Sequence, residues 1–347
     1  MTGPCVRYAV SFVLICVFIS PFLQAAEQQL IIKENPDRSL FVFGGPTWNM
    51  IRKDGGKYIY CWDASAGVET VIYSSPVAIR HVMATKAGYI AFTDYSRESS
   101  SSVTYRLQIL NPEAQIVRTV SAQDPIFSVS WSPDGKRLSY ITGKSSEQLR
   151  GRGYDDAQTI IYDVETGTSK PVFDGGYQIT WASFDGNIYI YEPLKSPAVS
   201  MYVVKTGEVV ETELKSIQFS PDGAYYFERA EDQIEGFGLY RRAANEPFSV
   251  GGEAASSQLA IKRLEAVRWF DDQRIMCIRQ VDGTKPLYQQ RSFLFNVETG
   301  EILESQGFIL HHYITGEAII VKQDGRLNLE TLASMRRIMP EDLPPPR

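Results

Sequence analysis

The chain has 347 residues, 44% of them apolar and 22% charged, which is enough to bury a sizeable core and excludes a disordered chain. Its 35 basic and 41 acidic residues leave a net charge of −6, which excludes the basic footprint of a nucleic-acid binder. Aromatics reach 12%, with 26 Gly and 18 Pro, a composition that suits strands and turns.

At the N-terminus, Arg7 precedes an apolar run from Tyr8 to Leu23, and Gln24-Ala25-Ala26-Glu27 follows. A positive start, a hydrophobic stretch and small residues at its end predict a secretory signal peptide cut after Ala25 or Ala26. The expected division is therefore residues 1–26 as signal, 27–338 as the folded domain and 339–347 as an extended tail, where Pro344-Pro345-Pro346 cannot continue a sheet. No later stretch is long and apolar enough to span a bilayer. The expected location is exported, periplasmic or extracellular. Cys5 and Cys16 leave with the signal; the remaining Cys61 and Cys277 make no disulfide framework, and no cysteine or histidine spacing suggests zinc.

The rest of the chain repeats itself. Gln29-Leu30-Ile31-Ile32-Lys33 predicts a strand, and Asn35-Pro36-Asp37 a turn after it. Leu40-Phe41-Val42 runs to Gly44-Gly45, and Val82-Met83-Ala84 to Ala87-Gly88. The repeat is plainest in Val129-Ser130-Trp131-Ser132-Pro133-Asp134-Gly135 and in Ile217-Gln218-Phe219-Ser220-Pro221-Asp222-Gly223. Each is an alternating strand entering a turn in which Pro presets φ, Asp bonds its own backbone and Gly accepts positive φ. Ile179-Thr180-Trp181, Val267-Arg268-Trp269 and Leu310-His311-His312 are looser copies. The aligned positions Val42, Ala84, Trp131, Trp181, Phe219, Trp269 and His312 recur about every 45 residues, the length of a four-stranded propeller blade. A second hairpin signal ends each unit, as in Ile160-Ile161-Tyr162-Asp163-Val164-Glu165-Thr166-Gly167 and Phe293-Leu294-Phe295-Asn296-Val297-Glu298-Thr299-Gly300.

The fold predicted is all-β, a seven-bladed β-propeller, with six or eight blades as alternatives. The last unit offers three strands, 308–313, 317–322 and 327–331, so the N-terminal strand 29–33 is expected to complete the last blade and close the ring. A short helix is expected over 331–338, where Leu332, Met335 and Ile338 share a face.

These repeats resemble the TolB-type propeller repeat, a WD-like unit built around a Ser-Pro-Asp-Gly turn. The resemblance covers nearly all of the chain after the signal, with two tight copies, and implies a β-propeller. TolB-type proteins join an N-terminal α/β domain to a six-bladed propeller; this chain has no room for that domain, so it looks like a stand-alone relative.

In such a ring the Pro-Asp-Gly and Thr-Gly turns fall on one face, with Pro133, Asp134, Gly135, Pro221, Asp222 and Gly223 as structural turn residues. The opposite face takes the long loops, 94–102, 143–157, 192–198, 230–235 and 279–290, where binding is expected. The candidate partner-binding residues are Asp94, Tyr95 and Arg97 in the second unit, Arg150, Arg152, Tyr154, Asp155 and Asp156 in the third, and Arg279, Asp282, Lys285 and Tyr288 in the sixth. Arg and Tyr are common interface anchors; the bland reading of each is a solvated loop residue.

Enzyme readings have less support. There is no Gly-x-Ser-x-Gly elbow and no Gly-rich phosphate motif, and the histidines are His81, His311 and His312. His312 takes a position held elsewhere by Trp or Phe, which suits packing between blades. Trp131, Trp181 and Trp269 read as inter-blade core rather than a sugar-stacking stripe. No cofactor or metal is expected. The function expected is an exported, non-catalytic, monomeric propeller that binds a protein or envelope polymer through its long-loop face. The alternative is a propeller hydrolase or lyase with dispersed carboxylates, and His312, at the central channel.

Overall fold

The structure, a computed structural model, describes residues 32–338 apart from 36–37, 45–53, 64–66, 86, 98–101, 146–153, 193–195, 230–236, 244–245, 248–263, 271–274, 281–290, 313–316 and 323–325. The signal segment and the 339–347 tail lie outside the described residues. Among the described residues the strands form seven antiparallel sheets, six of them built from consecutive strands and the sixth in chain order with one later strand added.

The first sheet holds β1 (Ile32–Asn35), β2 (Arg38–Gly44), β3 (Tyr58–Asp63) and β4 (Val68–Ser74). The second holds β5 (Arg80–Ala84), β6 (Ile90–Arg97), β7 (Val103–Leu110) and β8 (Ile116–Ala122). The third holds β9 (Ile126–Trp131), β10 (Arg137–Ser145), β11 (Tyr154–Asp163) and β12 (Thr168–Phe173). The fourth holds β13 (Gln178–Trp181), β14 (Ile188–Glu192), β15 (Ser196–Val203) and β16 (Glu208–Glu211). The fifth holds β17 (Gln218–Phe219), β18 (Tyr225–Arg229), β19 (Phe237–Arg241) and β20 (Glu246–Pro247). The sixth starts with β21 (Leu264–Phe270), β22 (Ile275–Gln280), β23 (Ser292–Asn296) and β24 (Ile302–Glu304). The seventh has three strands, β25 (Phe308–His312), β26 (Glu317–Val321) and β27 (Leu327–Thr331). A 3-10 turn (Leu332–Ser334) then leads to β28 (Arg336–Ile338), which pairs with β24 as a fifth strand of the sixth sheet.

The Ser-Pro-Asp-Gly turns explain why the repeat is so regular. The Ser132 hydroxyl donates to Asp134 Oδ1 (2.6 Å) and accepts from the Arg137 N–H (2.9 Å), while Asp134 Oδ1 accepts from the Lys136 N–H (3.0 Å). Ser220 repeats the set, with Asp222 at 2.6 Å and the Tyr225 N–H at 2.9 Å, and Asp222 accepts from Ala224 N–H at 3.0 Å. Gly135 and Gly223 both sit at φ 68°. Because Ser220 is almost wholly buried, Ser220→Ala leaves the Tyr225 N–H without its acceptor. It should cost about 1–2 kcal/mol, read as a lower midpoint in urea unfolding with an unchanged slope. The second hairpins share an Asx turn: Asp163 Oδ1 accepts from the Thr166 N–H (2.8 Å), and Asn296 Oδ1 from Glu298 and Thr299 (2.9 and 3.1 Å).

The core lies between the sheets. Ile59, Val82 and Phe92 fill the junction of the first and second sheets. Met83, Leu107 and Trp131 fill the second and third, and Ile141, Trp181 and Ile190 the third and fourth. Ala182, Tyr189 and Tyr226 join the fourth and fifth, Phe227, Ile278 and Phe293 the fifth and sixth, and Phe270, Leu294 and Ile320 the sixth and seventh. Trp131 and Trp181 are buried in this inter-sheet core, and Trp269 packs against it. The Trp131 indole donates to Met83 O of the preceding sheet (3.3 Å), and Trp269 donates to Gln218 O in the same way (3.0 Å). The alternate serines do similar work, since Ser128 and Ser130 Oγ accept from the Ile179 and Trp181 N–H groups of the next sheet (2.9 and 3.0 Å).

Three expectations are overturned. The described part of the N-terminal strand does not join the last sheet: β1 pairs with β2, Ile32 opposite Phe41 and Asn35 opposite Arg38, while residues 29–31 lie outside the described residues. Among the described residues no strand pairing joins the first sheet to the seventh. Consequently Leu40-Phe41-Val42 is a second strand, and the first sheet's copy of the repeat runs from β1 into Asn35-Pro36-Asp37. The helix expected over 331–338 is a 3-10 turn followed by β28. Met335 and Ile338 are both buried, but in different junctions, between sheets six and seven and between five and six.

Candidate functional site

The alternation of strand side chains divides the second unit's candidate residues. In the β6–β7 hairpin Asp94 lies opposite Arg106, Tyr95 opposite Tyr105 and Arg97 opposite Val103. Asp94 follows Phe92 onto the face packed against the first sheet, whereas Tyr105 and Leu107 face the third.

Asp94 is therefore not the exposed loop contact expected from sequence. It lies within β6, buried, and its carboxylate is satisfied inside the fold: Arg106 Nε donates to Oδ1 (2.7 Å), Arg106 Nη2 to Oδ2 (2.9 Å), and Gln108 Nε2 to Oδ2 (2.6 Å). The hydrogen bond to Asp94 raises the Arg106 pKa further. Burial, and then the Asp94 charge, raises the hydroxyl pKa of Tyr73 across the junction.

A pocket of about 240 Å³ opens at the ends of the second and third sheets, and Thr93 and Asp94 are part of its lining. It lies at the sheet end reached by the β6–β7 connection. The ends of β6 and β7 supply Tyr95, Arg97, Val103 and Tyr105, and the start of β5 supplies Arg80. Pro125, Ile126 and Phe127, at the start of β9, close it from the third sheet. Ile126 and Phe127 are buried and Tyr95 and Tyr105 half-buried, while Arg80 and Arg97 are exposed. The lining is mixed: Val103, Pro125 and Ile126 are apolar, Tyr95 and Tyr105 bring phenols, and Arg80 and Arg97 bring exposed guanidinium groups beside the engaged Asp94. Among the described residues neither Arg80 nor Arg97 meets a carboxylate.

Sequence reasoning finds Tyr95 and Arg97 and misses Arg80, Tyr105 and Pro125–Phe127. The signal for Tyr105 is present: hairpin pairing across the β6–β7 loop sets it opposite Tyr95. The remaining candidates do not gather at this pocket in any described way. Arg150, Arg152, Asp282, Lys285 and Tyr288 lie outside the described residues. Tyr154 and Asp155 fall in β11 and Arg279 in β22, so each is a strand residue rather than a loop tip. Asp156 is exposed in β11 with φ 54°, beside a register shift opposite Thr142–Lys144.

His81 sits in a β5 bulge at φ 51°. Ser128 takes the same place in β9 at φ 46°. Burial, with Arg80 as a second cause, pushes the His81 pKa down to about 4. His311 and His312 fall in β25. Among the described residues no three His, Cys, Asp or Glu side chains converge as a metal site would require.

No protein-family model matches the chain. The Tol-Pal system protein TolB of Hahella chejuensis is 28% identical over 111 residues, 32% of this chain and 23% of that protein. TolB of Bordetella pertussis is 30% identical over 79 residues, 22% of this chain and 16% of that protein. The chain thus spans about a quarter or less of the length of the curated relatives it matches. Among solved structures, TolB from Acinetobacter baumannii aligns with a TM-score of 0.51 at 14% identity, covering 77% of this chain and 64% of that one. An oligogalacturonate lyase in complex with manganese aligns with a TM-score of 0.53 at 10% identity, covering 86% and 94%. At these identities the structural likeness is one of fold. With the local sequence matches, it supports a TolB-like β-propeller.

Proposed function

We propose that this chain is an exported seven-bladed propeller that binds a protein partner or envelope polymer at its long-loop end. The pocket at the ends of the second and third sheets forms part of that surface. The observation that carries the reading is the pocket itself: tyrosines, apolar side chains and exposed arginines in one lining, a composition enriched at protein interfaces. The signal-like N-terminus and the TolB-like sequence matches support export to the envelope and a binding role. The fold is shared with a lyase as well as with TolB, so fold alone does not choose between binding and catalysis. The convergent pocket, set against dispersed carboxylates, favours binding.

The test is affinity capture from solubilised native envelopes with the tagged chain. Tyr95→Ala with Arg97→Ala should reduce retention of a partner about tenfold or more without lowering the melting temperature, as should Arg150→Ala with Arg152→Ala. A partner retained equally by every variant, or none retained by the parent, contradicts the proposal.

A further inference from the structure

We infer that this pocket takes an acidic peptide segment, seating one apolar or aromatic side chain on its apolar lining and a neighbouring carboxylate against Arg80 and Arg97. The inference rests on the binding reading above and names the chemistry of its partner. A cavity of about 240 Å³ has room for one large side chain rather than a drug-sized ligand. Its apolar lining, Val103, Pro125 and Ile126, gives a Phe, Tyr or Leu side chain a surface to cover, which removes water from both partners.

The charge at the pocket then selects the neighbour of that side chain. Asp94 is the one acid among the pocket-lining residues, and its two oxygens are already engaged by Arg106 and Gln108. Among the described residues, Arg80 and Arg97, both exposed, are the pocket charges that meet no carboxylate, on a chain whose overall charge is −6. Two guanidinium groups lining one pocket favour an anion there, even on a protein of net negative charge. Guanidinium also matches carboxylate geometry with paired hydrogen bonds, which gives discrimination as well as attraction. The pocket lies at the ends of two sheets, at the open end of the β6–β7 hairpin, so an extended segment crossing the sheet ends reaches the apolar lining and the arginines together.

The experiment uses the full mature chain and three synthetic peptides read by calorimetry: Gly-Asp-Phe-Glu-Gly, its Lys counterpart Gly-Lys-Phe-Lys-Gly, and the side-chain control Gly-Asp-Ala-Glu-Gly. The acidic Phe peptide should bind at least about tenfold tighter than either other peptide. Its lead over the Lys peptide should vanish in Arg80→Gln with Arg97→Gln, and should shrink as NaCl rises from about 50 mM to about 500 mM. Its lead over the Ala peptide should survive both changes. Equal affinities for acidic and basic peptides, no binding by any peptide, or an acidic preference that persists without the two arginines would overturn the inference. If the parent still retains an envelope partner lost with Tyr95→Ala and Arg97→Ala, the binding reading stands even where the acidic preference fails.

Discussion

Asp94→Ala should destabilise the fold by about 2–4 kcal/mol. The carboxylate is buried, and its loss strands both Arg106 and Gln108 among groups that no longer accept their hydrogen bonds. The Arg106 side chain keeps 28% exposure, so water takes up part of the released demand, and the cost stays below that of a fully enclosed ion pair. Urea unfolding measures the loss directly. Arg106→Leu on its own should destabilise too, and the double variant should lose less than the sum, with a coupling of about 1–3 kcal/mol. Asp94→Asn separates this structural role from a contact role. If Asp94 met the partner, Asn would weaken binding at unchanged stability; the buried geometry predicts lowered stability at unchanged binding by the folded fraction.

The second large effect is pH-dependent. His81 has its pKa held near 4, against an ordinary value of 6.5, chiefly because burial disfavours the charged ring. A base whose folded pKa is depressed binds fewer protons folded than unfolded, so stability rises with pH between the two values. The contribution is fully present above about pH 6.5 and is lost as pH falls toward 4. The residue is half-buried, so solvent screening trims the effect, and about 1–3 kcal/mol is expected across the window. His81→Asn keeps a residue that tolerates φ 51° and removes the titration. Its stability should therefore be flat across pH 4–6.5 relative to the parent, after allowance for the carboxylates common to both. An unchanged slope would mean that His81 is charged in the folded state.

What is legible in the sequence follows from where local physics dominates. The Ser-Pro-Asp-Gly turns and the Asx-Thr-Gly hairpins carry their own hydrogen bonds, so Ser132–Gly135, Ser220–Gly223 and Asp163–Gly167 are readable without any tertiary knowledge. Trp131 and Trp269 are readable as inter-sheet packing because the repeat places them at one register. Cys61 and Cys277 fall in the first and sixth sheets, as the strand count implies. The first sheet misleads because β2, with Leu40, Phe41 and Val42, is more apolar than β1, Ile32-Lys33-Glu34-Asn35, and apolar alternation is the most visible mark of the repeat. The turn chemistry of Asn35-Pro36-Asp37 is the better guide. That shift removes the spare strand on which the expected ring closure depends.

At the site, loop boundaries are the weak point. Strand β6 continues to Arg97, so the period-two rule still governs Asp94 and sends it to the opposite face from Tyr95. Arg80 and Pro125–Phe127 are not legible as partners of Tyr95, because nothing local links them; the packing of the second sheet on the third brings them together. Similarly, β28 carries no strand signal of its own; pairing with β24 and the apolar slots at two junctions, which take Met335 and Ile338, set its place.

The most direct test of the binding end uses p-benzoylphenylalanine installed in place of Tyr95 or, on the turn end of the third sheet, in place of Glu165, followed by photo-cross-linking in native envelopes. The pocket predicts a cross-linked partner from position 95 and none from position 165. A partner captured from position 165 alone, or from neither, would contradict it.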